Sequence, residues 1–170
     1  NDIEQVIRIL RSDWLTTGPT VDEFEQAFAE HVRTRYAVAV SSGTAALHAA
    51  VYAAGIGPDD EVIVPALTFA ATANSVAFQG GRPVFCDVDP GTLLMDPEKA
   101  EKLVTRRTRA IISVDYAGQP CDYDRLRRLA RSRGLTLIAD ACHALGGRYG
   151  GKPVGSLADL NCFSFHPVKN

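Results

Sequence analysis

YAVAVSSGTAALHAAVYAAG, residues 36–55, decides the class of fold. Tyr36 to Val40 is a short apolar run of strand type. Ser41 to Thr44 is a tight turn, and Ala45 to Ala54 is an Ala-rich helix ended by Gly55. This is also the most membrane-like window of the chain. Ser41, Ser42, Gly43, Thr44 and His48 interrupt it, so it reads as strand, turn and helix rather than as a span.

The same alternation continues downstream. Glu61 to Val64 is the next strand, stopped by Pro65, and Thr68 to Phe78 reads as a helix followed by Gly80 and Gly81. Pro83 to Val88 is a strand. Asp96 caps a helix with Pro97 at its first position. Ala110 to Val114 is a strand, Asp122 to Arg133 an amphipathic helix closed by Gly134, and Leu135 to Ala139 a strand that ends on Asp140. Leu160 to Phe165 is a last strand. Upstream, Ile3, Val6, Ile7 and Leu10 fall at helical spacing. After the turn at Thr16 to Pro19, Thr20 with Glu23 has the form of a capping box opening a second helix. The alternation predicts an α/β domain, a mainly parallel sheet covered on both faces in three layers, α/β/α. The division expected is an N-terminal helical segment over residues 1–35 and the α/β domain over residues 36–170.

Composition supports a folded chain. Of 170 residues, 46% are hydrophobic and 22% charged, which leaves little room for disorder. Eighteen Lys and Arg against 20 Asp and Glu give a net charge of −2. That balance lacks the electrostatic footprint of a nucleic-acid binder or a basic membrane-surface protein, so neither partner is expected. Cys86, Cys121, Cys142 and Cys162 form no CxxC pair and have no His at zinc-site spacing. No metal is expected, and four reduced thiols in a cytoplasmic protein is the reading preferred. Residues 1–11 are amphipathic and charged, unlike a signal peptide.

In parallel α/β sheets ligands bind beyond the carboxyl ends of the strands, so the residues just after each strand are candidates for chemistry. Ser41-Ser42-Gly43-Thr44 precedes a helix. Gly43 permits close approach of an anion, and the free N–H groups of the helix and the Thr44 hydroxyl are donors. The plainer alternative is an ordinary capped helix. Asp140 at a strand tip needs a cation or hydrogen bonds, and a protonated ring nitrogen is one partner that fits; otherwise it caps the next turn. His143 is either a ligand contact or a satisfied packed histidine. Lys169 follows an apolar segment and Pro167, unlike Lys99, Lys102 and Lys152 in polar stretches. A partly buried lysine is a nucleophile towards carbonyl carbon, whereas a lysine near a chain end is ordinarily a surface group. Gly146-Gly147-Arg148-Tyr149-Gly150-Gly151-Lys152-Pro153 has P-loop spacing up to its last position. Pro153 stands where Ser or Thr would hold magnesium and no helix follows, so it reads as a Gly-rich connection. No GxGxxG follows a strand, which leaves a dinucleotide site unsupported.

Six segments together resemble the DegT/StrS-type nucleotide-sugar aminotransferases, fold-type-I enzymes that use pyridoxal 5′-phosphate (PLP). They are WLTTGP (Trp14 to Pro19), SSGTAALHAA (Ser41 to Ala50), VIVPALTFAATANSV (Val62 to Val76), DVDP (Asp87 to Pro90), DACHALGG (Asp140 to Gly147) and FSFHPVKN (Phe163 to Asn170). The resemblance covers essentially the whole chain. It implies that Lys169 carries the cofactor as a Schiff base and that Asp140 pairs with the protonated pyridine nitrogen. His143 would lie near the ring hydroxyl, Gly43, Thr44 and Ser164 at the phosphate, and Phe69 on the ring face. Thr16, Thr17 and Gly18 would help shape the sugar-nucleotide pocket.

VDYAGQPCDYD (Val114 to Asp124) with DACHALGG looks most like the transaminases of pseudaminic acid biosynthesis, in which glutamate aminates the 4-keto carbon of a UDP-linked 4-keto-6-deoxy-N-acetyl sugar. Asp115 stands where many other members have His. The alternatives are a dTDP-, GDP- or other UDP-linked keto-sugar, or a non-catalytic module that keeps the fold. Related PLP-dependent sugar dehydratases carry His at the Schiff-base position, where this chain has Lys169. Family members are more than twice as long and act as homodimers with shared active sites. The resemblance therefore implies an N-terminal fragment of the large domain, inactive alone, without the rest of that domain or the C-terminal small domain.

Overall fold

The computed structural model describes residues 1–169. Packing divides the chain into two units, Asn1–Ala39 and Val40–Asn170. In the first, helix α1 (Asp2–Leu10) opens on a capping box: Asn1 accepts from the Glu4 N–H and Glu4 reaches back to the N-terminal amine. Its stripe of Ile3, Val6, Ile7 and Leu10 stays exposed. Helix α2 (Pro19–Val32) begins earlier than a Thr20 cap requires. Gly18 is the N-cap, Pro19 is the first helical residue, and no side chain caps the end. Proline has no N–H to satisfy and its fixed φ already suits a helix, so the helix starts there and Thr20 lies inside it.

The second unit holds a five-stranded sheet in the order β2-β1-β3-β4-β7, with every neighbouring pair parallel. The strands are β1 (Glu61–Pro65), β2 (Arg82–Cys86), β3 (Thr108–Val114), β4 (Thr136–Asp140) and β7 (Leu160–Cys162). Alternate residues face opposite ways. Val62, Val64, Ala110, Ile112 and Ile138 pack with Leu47 and Val51 of α3 (Gly43–Ala53) and Val76 of α4 (Ala70–Phe78). Ile63, Ile111, Leu137 and Ala139 pack with Ala100 of α5 (Pro97–Lys102) and with Tyr123, Leu126 and Leu129 of α6 (Tyr123–Arg133). Burial on both faces explains why these strands are continuous apolar runs. Each fully buried Val, Leu or Ile side chain contributes roughly 1.5–3 kcal/mol.

Three further expectations change. Residues 36–40 belong to no ladder, and Tyr36 and Val38 are exposed. An apolar run becomes a strand only when a neighbouring strand takes its N–H and C=O groups; here the Ala39 N–H donates to the Glu25 carboxylate at 2.6 Å and the Tyr36 carbonyl accepts the Thr34 hydroxyl at 3.1 Å. The last strand stops at Cys162 rather than Phe165, because its partner β4 ends at Asp140, which pairs with Cys162. The chain beyond Cys162 is thereby released from the sheet. The Gly-rich connection forms a small antiparallel hairpin, β5 (Arg148–Tyr149) with β6 (Lys152–Pro153). Gly150 and Gly151 at its turn both have positive φ, 54° and 78°, as a two-residue hairpin of this kind requires.

At the opposite end of the sheet from the strand tips, the Glu61 carboxylate is 1% exposed and is held by Arg82, Arg107 and the Thr105 hydroxyl. The Arg82 and Thr105 hydrogen bonds hold its pKa at about 2.

Candidate active site

All five strands run in parallel, so their carboxyl ends share one edge. There the segments after β1, β3, β4 and β7 and the first turn of α3 line a cavity of about 590 Å³. That lies within the roughly 300–1,000 Å³ of small-molecule sites.

Asp140 is the last residue of β4 and shares the face of Ile138, towards α4. It is 6% exposed. Its Oδ2 accepts the Thr72 hydroxyl at 2.8 Å and its Oδ1 the Cys142 N–H at 3.3 Å. No ion pair engages it among the described residues. A buried carboxylate with two donors and no cation is suited to receive one.

At the start of α3, Ser42 is the N-cap and accepts the Ala45 N–H at 3.1 Å. The Gly43 and Thr44 N–H groups precede any intrahelical acceptor and point out of the helix end, where the dipole favours an anion. A Cβ on Gly43 would lie 2.9 Å from Cys142 Sγ and 3.1 Å from Ser164 Cβ. Glycine is therefore needed for the helix end to sit against the segments after β4 and β7.

Lys169 Nζ lies 2.8 Å from His143 Nε2 and 5.8 Å above the Phe69 ring. The two nitrogens share one hydrogen bond, whose direction is set by the His143 tautomer. The His143 ring meets Tyr116 edge-on at 6.2 Å. Tyr116 opens a tight turn in which Ala117 and Gly118 have φ of 52° and 83°. Asp115 anchors that turn. Its carboxylate is fully buried and accepts the Cys121 N–H and the Tyr123 hydroxyl, each at 2.9 Å. Burial pushes its pKa up to about 6. Burial, then the negative charge of Asp140, pushes the Cys142 thiol up as well, which keeps it neutral beside the cavity.

Of the residues singled out from sequence, Gly43, Thr44, Phe69, Asp140, His143, Ser164 and Lys169 all line this one cavity. Thr16, Thr17 and Gly18 belong to the first unit, in the turn before α2, and Thr17 has a positive φ of 47°. Sequence reasoning missed Thr68, Thr72 and Tyr116. The four-residue spacing of the two threonines was visible, but nothing in it names a carboxylate 68 positions away. Among the described residues no cluster of three or more His, Cys, Asp or Glu could hold a metal. No helix among them is long and apolar enough to cross a membrane.

Known proteins match along the whole chain. The model of the DegT/DnrJ/EryC1/StrS aminotransferase family matches residues 1–170. The chain is 46% identical over 169 residues to the spore coat polysaccharide biosynthesis protein SpsC of Bacillus subtilis (strain 168), covering 99% of this chain and 43% of that protein. Among solved structures, Spr1654 of Streptococcus pneumoniae, assigned as a sugar aminotransferase and solved in its PLP form, superposes with a TM-score of 0.95 at 38% identity. The match covers 99% of this chain and 47% of that one. Helicobacter pylori PseC, an aminotransferase involved in the biosynthesis of pseudaminic acid, gives 0.91 at 34% identity, over 97% of this chain and 45% of that one. The chain thus spans less than half the length of these relatives. With a parallel α/β domain, a strand-tip cavity and a family match from end to end, this chain belongs to the DegT/DnrJ/EryC1/StrS aminotransferase family.

Proposed function

We propose that the full-length protein moves an amino group from glutamate to the 4-keto carbon of a nucleotide-linked deoxysugar, of the UDP-4-keto-6-deoxy-N-acetyl-altrosamine type used in pseudaminic acid biosynthesis. Its cofactor is pyridoxal 5′-phosphate, the cofactor of the family and of the Spr1654 PLP form. One observation carries the reading: a primary amine, a cation-free buried carboxylate and an open helix N-terminus converge on a single cavity.

The residues present fit that cofactor. Asp140 offers a buried anion for a protonated pyridine nitrogen, and the α3 N-terminus with Ser164 offers donors for a phosphate. Phe69 offers an aromatic face beneath the Lys169 amine. When bound, the cofactor supplies an electron sink for the negative charge that develops on the substrate carbon.

The chain's own groups manage position and protons. Lys169 Nζ takes the proton from the α-carbon of glutamate and later returns one to C4 of the sugar. The hydrogen bond between His143 Nε2 and Lys169 Nζ aims the amine across the Phe69 ring. Thr16, Thr17 and Gly18 contribute to the sugar-nucleotide pocket. We further propose a cytoplasmic homodimer with a shared active site. The four free cysteines suit a reducing compartment. Residues 1–170 expressed alone are expected to be inactive.

The test is a half-reaction. Full-length protein loaded with PLP and given glutamate alone should release one 2-oxoglutarate per site, then consume a keto-sugar in a second step. A panel of UDP-, dTDP- and GDP-linked 4-keto sugars identifies the acceptor. A PLP-loaded protein that releases no 2-oxoglutarate would sink the assignment.

A further inference from the structure

We infer that Thr72, with Thr68 behind it, is a positioning residue that holds the Asp140 carboxylate aimed into the cavity. The inference rests on the reading of Asp140 as the partner of the cofactor's pyridine nitrogen. Thr72 lies in the first turn of α4 and is completely buried. Its Oγ1 is 2.8 Å from Asp140 Oδ2 and 2.6 Å from Thr68 Oγ1, and Thr68 lines the cavity.

Proton counting gives this chain of oxygens a direction. A hydroxyl carries one proton, and an ionised carboxylate only accepts. The Thr72 proton therefore goes to Asp140, and the Thr68 proton must go to Thr72. The order is Thr68 to Thr72 to Asp140, and each donation polarises the next. The oxygen of Thr68 is left as an acceptor at the cavity wall.

This arrangement answers a specific cost. Burial at 6% exposure disfavours a charged carboxylate, and donors to the charged form oppose that penalty. Asp140 has two such donors, and the Thr72 hydroxyl is the shorter contact, 2.8 Å against 3.3 Å for the Cys142 N–H. The first turn of α4 adds its dipole in the same sense. Thr72 is fixed in turn by the helix, where the Ser75 hydroxyl donates to its carbonyl at 2.9 Å. Without the Thr72 hydroxyl, Asp140 Oδ2 loses the donor that fixes its orientation.

The experiment compares variants of the full-length protein for PLP affinity and for the pH midpoint of the bound cofactor's visible band. Thr72→Val keeps the shape and removes the donor. It should weaken PLP binding about tenfold or more. It should also move the midpoint to higher pH, because less positive charge then sits on the ring nitrogen. Thr72→Ser should restore both, and Thr68→Val should give a smaller change in the same direction. Ser132→Ala removes the same kind of helix hydroxyl, one that donates to the Leu129 carbonyl in α6 away from the cavity, and should change neither. The inference is overturned if Thr72→Val binds PLP like the unmodified protein with the midpoint unmoved, or if Ser132→Ala produces the same loss. Failure of the unmodified protein to bind PLP is a separate result, and overturns the cofactor reading itself.

Discussion

Lys169 Nζ and His143 Nε2 stand 2.8 Å apart in the wall of the strand-tip cavity. The amine comes from the segment released after β7 and the imidazole from the turn after β4. The contact therefore depends on β7 ending where β4 ends, at the Asp140 and Cys162 pair.

Replacing Lys169 should remove the proton carrier. Lys169→Ala in the full-length protein is expected to lose roughly 10²–10⁴-fold or more in turnover. It should also lose the yellow absorbance of the loaded protein. His143→Leu removes the hydrogen-bond partner of the amine together with the ring that meets Tyr116, and should lower kcat about ten- to a hundredfold. His143→Gln keeps a hydrogen-bonding group and should retain most of the rate. Steady-state kinetics of the three variants check the order.

A side chain at Gly43 should loosen the anion site. The new Cβ of Gly43→Ala would press on Cys142 Sγ and Ser164 Cβ at 2.9 and 3.1 Å. The helix end must move back, and with it the N–H groups of residues 43 and 44. PLP affinity should fall about tenfold, a typical cost for one misplaced charge-assisted donor. Inorganic phosphate should compete with PLP less well than in the unmodified protein.

Asp115 should give the protein an inverted acid response near pH 5. Its folded-state pKa is about 6, above the ordinary 3.8, because of burial. Between those values the folded chain binds more proton than the unfolded one, so stability rises as pH falls through this window. Above pH 6 the ionised carboxylate costs on the order of 3 kcal/mol relative to a group unshifted by folding. Asp115→Asn should flatten the dependence of Tm on pH between 4 and 6. It should also disturb the turn that seats Tyr116 against His143.

Glu61 should act in the opposite sense. Hydrogen bonds from Arg82 and Thr105 hold its pKa at about 2, below the ordinary 4.5. Its stabilising effect is complete above pH 4.5 and is lost as pH falls towards 2. Glu61→Gln should remove that acid loss and lower Tm at neutral pH. Both arginines are more than half exposed, so the effect should shrink at high salt.

The strands that became the middle of the sheet were legible because two-sided burial leaves a continuous apolar run: Val62 to Val64, Ala110 to Ile112, Leu137 to Ala139. The same logic misled at Tyr36 to Val40, where the Ala39 N–H and the Tyr36 carbonyl go to side chains rather than to a ladder. The start of α2 was misplaced because Thr20 and Glu23 have capping spacing, while Pro19 had already begun the helix. In the cavity, Asp140 announced itself at the end of a strand, the turn at Gly43 as a Ser/Thr-flanked glycine opening a helix, and Lys169 by following an apolar segment and Pro167. Thr72 carried no such mark, and Asp115, though next to β3, carried none of its partners. Their work is defined by partners that only the fold brings close: a carboxylate on another element for Thr72, and Tyr123 on the face opposite α4 for Asp115.

Nitrogen transfer tests the central claim most directly. Full-length protein loaded with PLP is incubated with ¹⁵N-glutamate and a panel of nucleotide-linked 4-keto sugars, beside Lys169→Ala as control. The expected result is ¹⁵N on C4 of one sugar, matched by an equimolar amount of 2-oxoglutarate and absent in the control. PLP bound to the protein with ¹⁵N reaching no sugar in the panel would contradict the account.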